Sequence, residues 1–232
     1  MCTLGSTLLR MVNLVESLVQ RVLTTASVVA VARLGESMYE VTLTAPAFGD
    51  WRYVPGQSVR LALGNGLSLR TYSLWTLSES TVVLRGFSHS DGPGSRWMAS
   101  AEPGTRVALT APKGVFVVDQ EAPWHLFVGD DTGAVPLLAM RAALPASASV
   151  RGVVVSREEM PPLGASLPWR SSGTLLDAVR SLELPSSPGV AYVAGEQKAC
   201  LEVRDYLRNS LGWPRRAVKV SAHWTPGKRG LE

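Results

Sequence analysis

The feature that most constrains the fold of this 232-residue chain is a change in its hydrophobic period near residue 120. Before that point, short runs rich in β-branched residues are separated by Pro and Gly turns, which is typical of β-strands. Six short strands with this spacing predict a small antiparallel β-barrel, with one helical insert at 94–101. The predicted strands cover 26–34, 38–45, 58–63, 67–75, 81–89 and 105–110.

The second half alternates strands with helices, which indicates βαβ units on a parallel sheet. Residues 160–173, rich in Pro, Gly and Ser, are predicted to form a long loop. The strands are predicted at 124–129, 150–156, 190–194 and 218–224, and the helices at 134–144, 174–182 and 197–211. We therefore predict an α+β two-domain fold, with an N-terminal extension over 1–23, a six-stranded antiparallel β-barrel over 24–119 and a parallel α/β nucleotide-binding-type domain over 124–230.

Composition excludes several function classes. The net charge of +4 comes from scattered Lys and Arg, so no binding to nucleic acid is predicted. No stretch approaches the ~20 apolar residues of a membrane span, and Arg10, Glu16 and Gln20 interrupt any secretory signal, so we expect a cytoplasmic protein. Cys2 and Cys200 form no disulfide framework and no metal-binding spacing, and Cys200 is expected in the core.

The first candidate motif, Arg70-Thr71-Tyr72-Ser73, lies at the end of a predicted barrel strand. A fixed guanidinium can bind a diphosphate through two parallel hydrogen bonds. The aromatic ring can lie flat on an isoalloxazine ring, and a hydroxyl can bond to the edge of that ring. The alternative is an exposed Arg beside a packed Tyr.

A second motif, His89-Ser90-Asp91-Gly92-Pro93-Gly94-Ser95-Arg96-Trp97, follows a strand and opens a helix. Gly92 and Gly94 let the backbone approach a phosphate, and the N-terminus of a helix favours an anion. The alternative is a turn followed by an ordinary capped helix.

A third motif, Gly129-Asp130-Asp131-Thr132-Gly133-Ala134-Val135-Pro136, follows the first strand of the α/β domain. It lacks the G-x-G-x-x-G fingerprint, and its Asp and Thr residues can simply cap the next helix. Ligands of open parallel sheets bind beyond the carboxyl ends of the strands. We therefore expect sites at 129–133, at Ser156-Arg157 and at Gly195-Glu196, facing the barrel.

Taken together, these ordered motifs resemble those of the siderophore-interacting protein family, FAD-dependent ferric-siderophore reductases of the ferredoxin–NADP reductase superfamily. The resemblance extends from about residue 27 to residue 230. It implies an FAD-binding barrel followed by a nicotinamide-binding-type domain. Its further landmarks are Pro46-Ala47-Phe48, Pro55-Gly56-Gln57, Pro112-Lys113-Gly114, Ala194-Gly195-Glu196 and His223-Trp224.

The resemblance also implies roles for individual residues. Arg70 would contact the FAD pyrophosphate, Tyr72 would stack on the isoalloxazine ring and Ser73 would donate a hydrogen bond near N5. The turn that includes His89 would hold the ring and the phosphates, and no acid–base residue is needed because the flavin supplies the chemistry. The full predicted FAD-binding set is Arg70, Thr71, Tyr72, Ser73, His89, Gly92, Pro93, Gly94, Ser95, Asp131 and Thr132, the last two at the adenine end.

The electron donor and the substrate are implied in the same way. Ser156-Arg157 resembles the superfamily's pair for the 2′-phosphate of NADPH, although it is equally consistent with a solvated strand end. The predicted NAD(P)H-binding residues are Thr132, Ser156, Arg157, Gly195 and Glu196, with NADPH favoured over NADH. The candidates for an anionic or oxygen-rich ferric siderophore are Lys228, Arg229, Lys113 and Arg52, unless they are ordinary surface residues.

The leading hypothesis is a monomeric reductase that passes electrons from NADPH, NADH or ferredoxin through FAD to a ferric siderophore. Reduction releases iron because hard oxygen ligands hold Fe(III) better than Fe(II). One alternative is a flavin reductase module that serves a protein partner, itself without an iron–sulfur cluster because the four-Cys spacing is missing. The other is a non-catalytic protein that binds a flavin or a ferric chelate.

Overall fold

The computed structural model describes residues 23–64, 68–88, 92–158 and 167–227. The described strands are β1 (Thr24–Arg33), β2 (Met38–Thr44), β3 (Ser58–Leu63), β4 (Ser68–Leu77), β5 (Thr81–Phe87), β6 (Arg106–Leu109), β7 (His125–Asp130), β8 (Val150–Val155), β9 (Trp169–Arg170), β10 (Val190–Glu196) and β11 (Val218–Trp224). The described α-helices are α1 (Pro93–Ser100), α2 (Asp131–Ala142), α3 (Leu175–Arg180) and α4 (Gln197–Asp205). Short 3₁₀ helices occupy Pro46–Asp50 and Arg215–Ala217.

Strands β1 to β6 form a closed antiparallel barrel in the order β1-β2-β5-β4-β3-β6. Alternate side chains of each strand fill its interior, as on β3, where Val59, Leu61 and Leu63 are buried and Arg60 is exposed. Burying each such side chain contributes about 1.5–3 kcal/mol. Closure also removes the free strand edges that an open sheet would leave. The predicted six-stranded barrel is confirmed.

Strands β7 to β11 form a separate parallel sheet in the order β11-β10-β7-β8-β9. The first five residues of the central strand β7 are all buried, as expected for a parallel strand covered on both faces. The predicted parallel α/β domain is confirmed. Because the strands are parallel, the carboxyl ends of β7, β10 and β11 meet at one edge, where ligands of such sheets bind.

The strand β9 corrects the described part of the long loop predicted over 160–173, while residues 160–166 lie outside the described residues. The amide of Val154 donates to Pro168 O at 2.8 Å and the amide of Ser156 donates to Arg170 O at 3.0 Å. The indole of Trp169 adds a hydrogen bond to Ser156 O at 2.9 Å. A two-residue strand is too short to show an alternating pattern, which is why sequence periodicity missed it.

The helix predicted over 197–211 is also corrected. It is α-helical only to Asp205 and continues as a π-helical turn over Tyr206–Ser210. Cys200 lies buried on α4, and burial raises the pKa of its thiol to about 12. The prediction that Cys200 is a core residue is therefore confirmed.

The two units share buried surface. Met38 of the barrel packs in one apolar cluster with Ala134 and Leu138 of α2. The carboxylate of Glu158, just beyond β8, accepts hydrogen bonds from Ser37 Oγ at 2.6 Å and from the Ser37 amide at 3.1 Å. These contacts fix the cleft between the units, and the division between residues 119 and 124 stays a prediction. No helix in the described part of the chain is long and apolar enough to span a membrane.

Candidate functional site

A cavity of about 560 Å³ lies between the barrel and the carboxyl edge of the parallel sheet. This volume is in the range of small-molecule and cofactor pockets, roughly 300–1,000 Å³. Its lining residues come from the barrel, from the segment that leaves it, and from α2 and β11. They are Gly56, Ser58, Arg60, Arg70, Thr71, Tyr72, Ser73, Arg85, Gly86, Phe87, Gly94, Ser95, Lys113, Gly114, Val115, Phe116, Thr132, Val135, Pro136, Val220, Ser221, Ala222, His223 and Trp224.

The charged residues that line the cavity are all cationic. Four cationic residues line it, Arg60, Arg70, Arg85 and Lys113, and none of the lining residues in the described part of the chain is a carboxylate. Arg85 pairs with Glu40 behind the lining, whereas Arg60, Arg70 and Lys113 form no ion pair with another described residue. Clustered unpaired cations favour the binding of anions. The cavity is therefore built for an anionic ligand.

The pairing of β3 with β4 brings together several polar side chains of the cavity wall. Arg60 lies opposite Thr71 and Ser58 lies opposite Ser73, while Ser58 also pairs with Lys113 through an isolated bridge. Side chains that face each other across an antiparallel pair lie about 4.5–5.5 Å apart at Cβ. This register brings Arg60 beside the predicted motif. Sequence analysis missed Arg60, although its outward position on β3 was a usable signal.

Tyr72 is buried and fixed from two sides. Its hydroxyl donates to Gly94 O at 2.7 Å, and its ring lies 5.5 Å from that of Trp97 at a tilt of 59°. A Cβ at Gly94 would lie only 2.9 Å from Tyr72 Oη, so a side chain there would displace the Tyr72 hydroxyl. Burial raises the pKa of Tyr72 well above its usual value of 10, against the charge of Arg70. Tyr72 therefore remains a neutral hydrogen-bond donor.

The N-cap residue of α1 is Gly92, and Pro93 follows it in the first turn. Each of the other α-helices described has a capping side chain, Asp130 for α2, Thr174 for α3 and Glu196 for α4. Gly94 and Ser95 in the first turn of α1 line the cavity. The positive end of this helix dipole therefore lies at the cavity wall, where it favours an anion.

The carboxyl edge of the sheet is organised by Asp130, which sequence analysis placed only as a helix cap. Its Oδ1 accepts from Thr132 Oγ1 at 2.6 Å and from the Gly133 amide at 3.0 Å. Its Oδ2 accepts from the Glu196 amide at 2.7 Å and from Trp224 Nε1 at 3.0 Å. One carboxylate therefore joins β7, α2, β10 and β11.

His223 on β11 faces the same cavity and was noted in the sequence only as a landmark. Its Nδ1 lies 2.9 Å from Thr132 O. Burial lowers the pKa of His223, and the charge of Asp130 and the Thr132 contact oppose that effect. The neutral ring donates from Nδ1, because a carbonyl oxygen can only accept, so Nε2 is left as an acceptor.

The predicted site residues divide into three groups. The first lines the cavity: Arg70, Thr71, Tyr72, Ser73, Gly94, Ser95, Thr132 and Lys113. The second is described but does not line it: Gly92, Pro93, Asp131, Ser156, Arg157, Gly195, Glu196 and Arg52. The third lies outside the described residues: His89, Lys228 and Arg229.

The second group includes residues with other partners. Ser156 is buried, and its hydroxyl accepts from the Glu158 amide at 3.3 Å, whereas Arg157 is exposed. Arg52 is exposed and donates to Trp51 O at 3.0 Å. Among the described residues, no group of three or more His, Cys, Asp or Glu side chains is arranged to hold a metal ion.

A closed barrel followed by a parallel α/β unit is a two-domain fold like that of ferredoxin–NADP reductases. The ferredoxin reductase of carbazole 1,9a-dioxygenase has this fold, with a TM-score of 0.70, 22% identity and coverage of 86% of this chain and 65% of that chain. A siderophore utilization protein from T. fusca aligns with a TM-score of 0.78 at 23% identity, covering 90% of this chain and 95% of that chain.

The model of the siderophore-interacting protein family matches residues 122–227. The predicted resemblance to this family is therefore confirmed, and the match covers the α/β unit. The ferric vibriobactin reductase ViuB of Vibrio cholerae is 24% identical over 155 residues, which cover 60% of this chain and 57% of ViuB. The chain spans 57–59% of the length of the curated relatives it matches.

Proposed function

We propose that this chain is a flavin-dependent ferric-chelate reductase that acts on a ferric siderophore. The observation that carries the proposal is the cavity, which is lined by four cations and by no carboxylate among the described residues. Its place between a barrel and the α/β unit that matches the siderophore-interacting protein family supports a flavin as the anionic ligand. A relative named ferric vibriobactin reductase supports the substrate class.

The residues present fit a flavin dinucleotide. Arg70 and the first turn of α1, with Gly94 and Ser95, lie on the cavity wall, where a guanidinium and the positive end of a helix dipole favour a diphosphate. Tyr72 and Ser73, on the same strand as Arg70, supply an aromatic surface and a hydroxyl. FAD bound here would supply electron transfer between the donor and Fe(III). Contacts from His89 and from Asp131 stay predictions.

Arg60 and Lys113 extend the basic surface to the mouth of the cavity. Both side chains are exposed, and neither forms an ion pair with another described residue. We propose that they attract the oxygen-rich ferric chelate to the cavity. Lys228 and Arg229 stay candidates for the same role, whereas Arg52 lies away from the cavity lining. Reduction then weakens the chelate, because hard oxygen ligands bind Fe(II) less tightly.

The carboxylates at the carboxyl edge of the sheet bear on the choice of electron donor. Asp130 caps α2, and Glu196 caps α4 through the amides of Lys198 and Ala199 at 2.8 and 2.7 Å. A nucleotide phosphate at either helix N-terminus would meet a negative charge there. This arrangement does not favour NADPH over ferredoxin as the electron donor. We therefore propose NADPH, NADH and ferredoxin as the donors to compare.

The first test is an anaerobic titration of the purified, flavin-loaded protein. We expect NADPH, NADH or reduced ferredoxin to bleach the flavin absorption, and a ferric siderophore to restore it. Release of Fe(II) is measured in parallel with a ferrous-specific chelator. Bleaching without recovery on the ferric siderophore would favour a module that serves a protein partner. A bound flavin that none of the donors reduces would favour a non-catalytic binding protein.

The second test is Arg70→Ala, which removes the cation proposed for the FAD diphosphate. A charge-assisted contact of this type is worth about 1.5–3 kcal/mol, so FAD affinity is expected to fall by about tenfold or more. Equilibrium dialysis with FAD measures the loss. Arg106→Ala, an exposed residue of β6 outside the cavity lining, is the control. Unchanged FAD affinity in Arg70→Ala would exclude the diphosphate role. The monomeric state and the cytoplasmic location stay predictions.

A further inference from the structure

Arg85 on β5 is a cavity-lining residue whose side chain is held on two sides. Its Nε donates to Glu40 Oε2 at 2.7 Å, and its guanidinium carbon lies 3.8 Å from the centre of the Trp75 ring. The side chain of Arg85 is 12% exposed and that of Glu40 is 25% exposed. An ion pair and an aromatic face therefore fix the orientation of a nearly buried guanidinium.

The hydrogen-bond set of this guanidinium is incomplete. Nη1 of Arg85 is buried and has no acceptor among the described residues. Most buried polar atoms of folded proteins have a partner, because leaving a buried donor unpaired is costly. Arg85 is also part of the cavity wall. A ligand in the cavity that carries an oxygen acceptor would complete the set.

We propose that Arg85 donates a hydrogen bond to an oxygen of the bound flavin and that Glu40 is the residue that positions it. The inference rests on the proposed function of the cavity as a flavin site. Riboflavin, FMN and FAD share the ring carbonyl oxygens, and only FMN and FAD add phosphate oxygens. Comparing the three distinguishes a ring contact from a phosphate contact.

The test measures flavin affinity and midpoint potential for the wild type, Arg85→Gln and Arg85→Lys. Arg85→Gln is expected to weaken FAD binding about tenfold or more, because it removes a charge-assisted donor. Arg85→Lys, which keeps the charge but loses the planar fork, is expected to recover part of the affinity. Arg106→Gln is the matched control, and thermal unfolding without flavin establishes that each variant folds.

The comparison with riboflavin shows whether Arg85 contacts the ring or the phosphates of the flavin. Weaker binding of all three flavins by Arg85→Gln supports a ring contact, and the midpoint potential then shifts to more negative values, because a nearby cation stabilises the reduced flavin. Weaker binding of FMN and FAD alone supports a phosphate contact. If the contact is with the ring, Glu40→Gln is expected to shift the potential in the same negative direction and by less than Arg85→Gln, because the guanidinium keeps its charge but loses the partner that orients it.

Two negative outcomes are distinguishable. A wild-type protein that binds no flavin would overturn the proposed function itself. A wild type that binds FAD, beside an Arg85→Gln variant with unchanged affinity for all three flavins, would overturn this inference alone.

Discussion

Replacing Asp130 by alanine is expected to destabilise the folded chain by about 3–5 kcal/mol. The carboxylate accepts four hydrogen bonds, from Thr132, Gly133, Glu196 and Trp224. Alanine leaves two backbone amides, an indole N–H and a hydroxyl without this acceptor. Hydrogen bonds to a charged group contribute about 1.5–3 kcal/mol each, and the four do not add fully because they share one residue.

A matched variant separates this network from ordinary helix capping. Thr174→Ala removes only the cap of α3, where Thr174 Oγ1 accepts from the Asp177 amide at 3.1 Å, and should cost about 1 kcal/mol. Asp130→Asn keeps the shape and removes the charge, so it should fall between the two. Urea unfolding measures all three. A loss in Asp130→Ala no larger than that in Thr174→Ala would show that Asp130 acts only as a cap.

The same variants test what the carboxylate does at the sheet edge. The negative charge of Asp130 lies at the N-terminus of α2, where dinucleotide-binding domains place a phosphate. If that charge opposes NADPH, the folded Asp130→Asn variant should bind NADPH more tightly than the wild type. The stability of the chain and its choice of donor would then depend on one residue.

The fold was predictable because hydrophobic period is a local property of the sequence. Strands β3 and β11 have the predicted bounds, Ser58–Leu63 and Val218–Trp224, and the remaining predicted strands are displaced by at most a few residues. Each repeats an apolar position at a fixed interval that its own residues determine. The two-residue strand β9 has no such interval, because it is defined by its pairing with β8.

The site was predictable only in part, for a related reason. The Arg70 motif and the opening of α1 are continuous in sequence, and both contribute to the cavity wall. Arg60, Arg85 and His223 reach the cavity through strand register and domain packing, which no short motif records. Ser156 illustrates the converse, since β9 packs beside the end of β8 and leaves this predicted ligand residue buried.

Gly56→Ala is the second large effect that we expect, at about 3–5 kcal/mol of lost stability. Gly56 has a φ of +102°, which a residue with a side chain rarely adopts. A Cβ there would also lie 2.2 Å from Phe116 O, a backbone atom, and 3.1 Å from Met140 Sδ. The segment at Phe116 would have to move.

That movement would reach the cavity and the contact between the two units. Gly56 and Phe116 both line the cavity, and the Phe116 ring packs edge-on against Tyr192 with centroids 6.0 Å apart. Tyr192 Oη in turn accepts from the Asp119 amide at 2.7 Å. We therefore expect Gly56→Ala to lower flavin affinity as well as the free energy of unfolding.

Gly104→Ala is the control that isolates the contact with Phe116. Gly104 has a comparable φ of +91°, but a Cβ there would meet nothing within 4 Å. Gly104→Ala should lower the free energy of unfolding only by the backbone strain, about 1 kcal/mol, and leave flavin affinity unchanged. Urea unfolding and flavin titration of the two variants measure the difference. Equal losses of stability in the two variants would mean that the segment at Phe116 moves without cost and does not fix the width of the cleft. A larger cost in Gly56→Ala, together with weaker flavin binding, would show that the exit from the barrel sets the width of the cavity.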